Sequence, residues 1–312
     1  MHFKDKIIKG KKYKYVAESM RLPYGKVKTI EKFYKNESVK ELKDFFNIKK
    51  KEEFVKDAIK NFGIDIIFDE NHIRKIESIK VDYQNLIKNI PKNNLKDLID
   101  RFTANFTYES NALEGNSLTL KDVAIVMFEN ISIKGKDLRE IYETRNSREV
   151  VEKIIKNKFK ICEKDIITMH KMLVKDTGIF EGYKKFPNVI VGKRVKTTLP
   201  EKVEADMQKL IKWYLENKGK MHPLKLAGIF HGKFEQIHPF EDGNGRVGRF
   251  LINVILVNNK YPPLIIRKSQ RIAYLTALEK FDQKHEETLI RFILRKFQET
   301  YKNFFEEFVK YV

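Results

Sequence analysis

The chain has 312 residues, 42% of them hydrophobic and 34% charged, and its 23 phenylalanines are enough to fill a substantial core. That composition excludes a disordered chain, and the length accommodates one main domain with a smaller appendage. Lysine and arginine outnumber Asp and Glu by 63 to 43, a formal charge of +20, so the chain attracts nucleotides, nucleic acid or acidic proteins. The lysines run along nearly the whole sequence, as in "NIKKKEEF" and "KNKFKICEK", which favours a solvated basic surface over a dedicated nucleic-acid tract. The single cysteine, Cys162, excludes an intrachain disulfide framework and fits a reducing compartment. The opening "MHFKDKIIKGKKYKYV" lacks a signal-peptide core, and the longest apolar run, 250 to 257, is too short to span a bilayer. The expectation is a cytoplasmic protein without membrane association.

Residues 1 to 36 alternate apolar and polar positions around a turn with Pro23 and Gly25, which predicts a small β-hairpin or meander. From "SVKELKDFF" onward, apolar residues recur three and four apart and predict helices. "IDIIFD", 64 to 69, reads as a short strand or a buried helix end. Helices are predicted at about 72–90, 94–113, 136–158, 163–174, 201–217, 222–236, 244–258, 268–282 and 286–308. Start signals include Asn94, Ser117 to Thr119, and Pro200. "YKKFPNVIVGKRVKTTLP", 183 to 200, has a β-branched run, two prolines and a glycine, and predicts a short hairpin projecting from a helical body. No repeat or linker is visible, so the expected division is 1–70 and 71–312.

The chemistry concentrates in "HPFEDGNGRVGR", 238 to 249, directly before the apolar run. A helix N-terminus exposes unpaired N–H groups and the positive end of the macrodipole, and so binds anions. Gly243 and Gly245 let the backbone curl around a phosphate, and Asn244 between them can donate its amide to the same oxygens. Arg246 and Arg249 lie three residues apart in the first turn and suit a ligand with more than one phosphate. Cations there oppose the helix dipole, a conflict that an anion between them removes. Asp242 can hold Mg²⁺ through one carboxylate while phosphates and water complete the shell. His238 is placed as a general base for a hydroxyl, and Phe240 as an anchor in the core. Asn253 interrupts the apolar helix; its amide can meet a nucleotide edge or a backbone carbonyl, and both readings stand.

The segment resembles the Fic signature H-x-F-x-[DE]-G-N-G-R-x-x-R at every specified position: His238, Phe240, Asp242, Gly243, Asn244, Gly245, Arg246 and Arg249. "LAGIFHGKFEQIHPF" resembles the helix leading into that loop, and "DIITMHKMLVKD" the helix before the family's flap. "FPNVIVG" resembles the flap itself. The likeness covers about 95 to 285. It implies a mainly α, helical Fic-type fold with a small β-hairpin flap, here with a β-containing N-terminal appendage. It also implies AMP transfer from ATP to a Ser, Thr or Tyr hydroxyl of a target protein or of the enzyme itself. His238 would be the base and Asp242 the Mg²⁺ ligand. The turn Gly243, Asn244, Gly245 would hold phosphates, with Arg246 and Arg249 on the β and γ groups. Tyr274 falls where such proteins often carry a ring near the base. Val189, Ile190 and Val191 would pair with an extended target segment.

Upstream, "SNALEG" fits the pattern [ST]-x-x-x-E-[GN], with Ser110 and Glu114 one turn apart and Gly115 as the helix stop. Ahead of a Fic motif this resembles the family's inhibitory helix, here 94 to 114, whose glutamate pairs with the second arginine, Arg249, in the γ-phosphate's place. The expected function is an autoinhibited protein adenylyltransferase. Removal of AMP, or transfer of another nucleotide, uses the same site. A nucleic-acid- or protein-binding regulator is the reading from another class. Homodimer formation stays open.

Overall fold

The computed structural model describes residues 1–23, 26–188 and 197–310. The chain divides into two compact units, Met1–Asn85 and Leu86–Val312.

The first unit opens with a three-stranded antiparallel meander, β1 (His2–Ile8), β2 (Lys11–Arg21) and β3 (Val27–Phe33), in the order β1-β2-β3. Ile8 pairs with Lys11 across a two-residue turn, and Lys9 and Gly10 both take positive φ, 50° and 76°. Both central residues of this hairpin turn are thus in the region that suits the strands' right-handed twist. The helix α1 (Val39–Phe62) follows, opened by a reciprocal capping box between Ser38 and Glu41. Alternation along β2 sends Val16 and Met20 inward; Val16 packs with Leu42 and Phe46, and Met20 with Leu22, Phe54 and Val81. The segment 64–69 forms neither of the expected elements. The Asp65 carboxylate accepts from the N–H groups of Ile67 and Phe68 at 2.8 and 2.7 Å, a side-chain-closed turn that outcompetes strand pairing. Helix α2 (Glu70–Asn89) spans the division between the units.

The second unit is helical: α3 (Lys92–Leu113), α4 (Leu120–Ala124, continued by a wider turn to Glu129), α5 (Leu138–Ile155), α6 (Glu163–Val174), α7 (Pro200–Asn217), α8 (Pro223–Ile237), α9 (Asn244–Asn258), α10 (Arg271–Asp282), α11 (Glu286–Thr300) and α12 (Glu307–Lys310). Sequence periodicity missed the ten residues from Leu120, although Thr119 starts them through a capping box with Asp122. Asn94 lies inside α3 and caps nothing; Pro91 precedes that helix, and its fixed φ suits the entry. Pro200 is the first residue of α7, as its missing N–H favours. Cys162 stands at the N-cap of α6 without a side-chain bond. No described helix is long and apolar enough to cross a membrane.

The core of this unit is built on α8 and α9. Phe230, Phe234, Val247, Phe250, Leu251 and Val254 are all at most 1% exposed. Helix α3 is fixed to α9 by Phe106 against Phe250, rings 4.8 Å apart and nearly perpendicular. Asn253 meets no open space. Its amide donates to Leu264 O at 3.0 Å and its oxygen accepts from Leu264 N at 2.8 Å, so of the two readings the structure gives the backbone one. Replacing Asn253 with Leu leaves both Leu264 groups buried and unpaired, and should lower stability by about 2–4 kcal/mol. Urea unfolding measures that loss, and calorimetry should find nucleotide affinity unchanged.

Candidate active site

The motif turns a corner between two helices. His238 ends α8 in the left-handed conformation, φ 51°, with its N–H still bonded to Phe234 O at 2.9 Å. Gly243 starts α9 at φ 81°, a conformation that glycine adopts without strain. Between them, Phe240 is fully buried and stacks face to face on His170 of α6, with centroids 3.8 Å apart. The Asn244 side chain engages the loop's own backbone. Its amide donates to Phe240 O at 2.8 Å and its oxygen accepts from Phe240 N at 2.9 Å, so it staples the loop.

The helix mouth carries the expected positive charge. Arg246 and Arg249 are 2% and 3% exposed. Arg246 Nη1 lies 3.1 Å from Glu143 of α5 in an ion pair without hydrogen-bond geometry, and Nη2 lies 4.0 Å from Asp242. Its Nε has no hydrogen-bond partner among the described residues. A buried guanidinium with a spare donor fits an anion. Arg249 donates through Nε to Ser110 Oγ at 3.0 Å and through Nη2 to Ser110 O at 2.8 Å, and pairs with Glu114 at 2.7 Å. The Glu114 carboxylate stands so close to Gly245 that a Cβ there would run into it. An anionic group thus already sits over the first turn of α9.

Asp242 is ionised: burial pushes its carboxyl up, but Arg246, the Gly243 N–H and Arg139 outweigh that and bring it down. Arg139 of α5 pairs with it directly. Among the described residues no group of three or more His, Cys, Asp or Glu gathers to hold a metal ion. One ionised carboxylate beside a glycine turn at a helix N-terminus is nevertheless a donor that fits Mg²⁺, an ion that takes most of its ligands from phosphates and water. Tyr274 is buried and its hydroxyl lies 2.8 Å from His231 Nε2; burial, with Glu235 adding, holds the phenol neutral. The expected flap residues Val189, Ile190 and Val191 lie outside the described residues. The segment leading to them is attached to the motif: Tyr183 bridges to Phe240, Lys184 N donates to Pro239 O, and the Asn188 amide donates to Phe240 O.

Several site residues carry no sequence signal. Arg139, Glu143, His170 and Glu235 come from outside the twelve-residue motif, and only the fold brings them there. His170 accepts from Gly182 N at 3.4 Å through Nδ1, so Nε2, 3.0 Å from Asp242 O, is the donor. Burial holds its pKa down at about 4, against the pull of that Asp242 bond. Between pH 6.5 and about 4 the unfolded chain therefore takes up a proton that the folded chain refuses. Stability is complete above pH 6.5 and is lost as pH falls through that window. From pH 7 to 4.5 the wild type should lose about 2–3 kcal/mol more than His170→Gln in urea unfolding, and equal losses would contradict the neutral buried ring.

Residues 160–256 match the Fic/DOC family model. The protein adenylyltransferase Fic of Nematostella vectensis is 32% identical over 194 residues, 60% of this chain and 45% of that protein. Its counterpart in Drosophila melanogaster is 31% identical over 191 residues, 60% of this chain and 39% of that protein. The chain thus spans less than half the length of these relatives. Among solved structures, a Fic-domain-containing signaling protein of Bacteroides thetaiotaomicron superposes with a TM-score of 0.67 at 25% identity, over 72% of this chain and 93% of that one. Fic-1 of C. elegans (residues 134–508) shares the fold, with a TM-score of 0.66 at 22% identity over 76% and 71% of the two chains. The segment from α6 to α9, with the loop that carries His238 and Gly243, belongs to the Fic/DOC family.

Proposed function

We propose that the protein is an autoinhibited, cytoplasmic adenylyltransferase that moves AMP from ATP to a hydroxyl of a target protein. The single observation that carries this reading is the mouth of α9. Two buried guanidiniums converge there, one with a spare donor, and a carboxylate from the end of α3 occupies the space beside Gly245. The relatives' name, protein adenylyltransferase Fic, supports the same chemistry.

In this reaction the acceptor oxygen attacks the α-phosphorus, the bond to the β-phosphate oxygen breaks, and pyrophosphate leaves with the electron pair. His238 takes the hydroxyl proton. The first turn of α9 and Arg246 bind phosphate oxygens through N–H groups that need not reorganise as charge develops. Asp242 would hold Mg²⁺, which when bound neutralises phosphate charge; Arg139 must release the carboxylate first. The segment from 183 would present the acceptor, because its described part is bonded to the motif's backbone.

Glu114 and Ser110 use the donors of Arg249 that a γ-phosphate would need. Glu114→Gly should raise the initial rate of transfer from α-labelled ATP by roughly 30- to 150-fold, if the pair offsets about 2–3 kcal/mol of productive binding. Arg249→Ala should not reproduce the gain, since it removes the inhibitor's anchor and the phosphate's clamp together. Equal rates for wild type and Glu114→Gly would remove the inhibitory role and leave the transfer chemistry standing. In the Glu114→Gly background, His238→Ala should lower the rate by about 10²- to 10⁴-fold with ATP affinity retained. Parallel loss of binding would show that His238 is not the base.

A further inference from the structure

Glu235 is a carboxylate with no assigned task in a place that does not favour one. It lies in the last turn of α8, where the helix dipole opposes negative charge, and its side chain is 8% exposed. Burial pushes the carboxyl up, but His238, His231 and Arg249 outweigh it and keep the group ionised. Its Oε2 is 3.7 Å from His238 Nδ1, and among the described residues neither that nitrogen nor Glu235 Oε1 has a hydrogen-bond partner.

The surrounding backbone makes room for Glu235 and His231 together. A Cβ on Gly248 of α9 would stand 2.6 Å from Glu235 Oε1 and 2.8 Å from the His231 ring. The groups facing the carboxylate are His231 of the same helix, His238, Arg249 of α9, and, across the buried ring of Tyr274, the pair of Arg249 with Glu114. Of these, His238 forms the ion-pair contact with the carboxylate, Nδ1 to Oε2 at 3.7 Å. The backbone of His238 is already fixed by its left-handed φ and its bond to Phe234 O, so only the ring's rotation and tautomer remain to be set.

We propose that Glu235 is the positioning residue for His238: it draws the ring proton to Nδ1 and leaves Nε2 bare for the acceptor hydroxyl. A gap of 3.7 Å is longer than a hydrogen bond, and such contacts tighten when ligands close a site. In the reaction the hydroxyl proton moves to Nε2 as the new oxygen–phosphorus bond forms. The resulting imidazolium stands beside an ionised carboxylate until Nε2 returns the proton to solvent. The inference rests on His238 being the base, and the experiment separates the two.

The test uses the full chain in the Glu114→Gly background, labelled with ¹⁵N-histidine. Two-dimensional NMR should show His238 as the Nδ1–H tautomer. Glu235→Gln, whose amide can donate to Nδ1, should shift it to Nε2–H. The same variant should lower kcat for AMP transfer by about 10²- to 10⁴-fold while KM for ATP moves less than about threefold. Glu235→Asp, which keeps the charge, should keep the Nδ1–H tautomer and lose less kcat, and it serves if the Gln variant does not fold. An unchanged tautomer in Glu235→Gln, an Nε2–H ring in Glu235→Asp, or matching changes in kcat and KM would overturn the proposal. A tautomer that switches while His238→Ala stays active would leave Glu235 positioning the ring and dismiss His238 as the base.

Discussion

The second unit is organised around a charge that could not stand alone. Arg249 is buried in the first turns of a helix, where both desolvation and the dipole work against a cation. Something negative has to meet it. In this structure the partners come from the end of α3: two oxygens of Ser110 and the carboxylate of Glu114. Because α3 is also packed on α9 through Phe106 and Phe250, the carboxylate is delivered by an apolar contact and not by its own attraction alone. The packing decides the position, and the guanidinium decides which residue type can end the helix there.

A second charged chain runs along the other side of the mouth. Arg139 and Glu143 of α5 face Asp242 of the loop and Arg246 of α9, so cations and carboxylates alternate across segments far apart in sequence. Its outer end is half exposed, where salt and solvent weaken such pairs, whereas Arg246 is sealed. Exchange with a ligand is therefore easiest at Asp242 and hardest at Arg246. This ordering suits a carboxylate that changes partners beside a guanidinium that stays in place.

The residues of "HPFEDGNGRVGR" were legible because glycine, histidine and paired arginines at a helix start carry their physics in their spacing. The two asparagines were less so. An amide can serve a ligand or a backbone equally well, and only the structure shows that Phe240 and Leu264 claim them. The turn at Asp65 was hidden for a related reason: an apolar run with β-branched residues reads as a strand unless a side-chain oxygen captures its N–H groups. His170, Arg139 and Glu235 were invisible as site residues, since single polar residues on amphipathic helices announce nothing until tertiary packing turns them toward one loop.

The attachment of residues 183–188 to the motif has a consequence for variation. Two of its bonds end on the carbonyl oxygens of Pro239 and Phe240, and a third contact is a backbone bridge between Tyr183 and Phe240. On the loop's side, main-chain atoms make these three connections, and the Phe240 ring adds a stacked contact with Tyr183 at 5.8 Å. Lys185 and Phe186, which point to solvent, take no part in them. Mutational drift at those outward positions can therefore re-specify what this segment meets while the loop geometry is inherited unchanged.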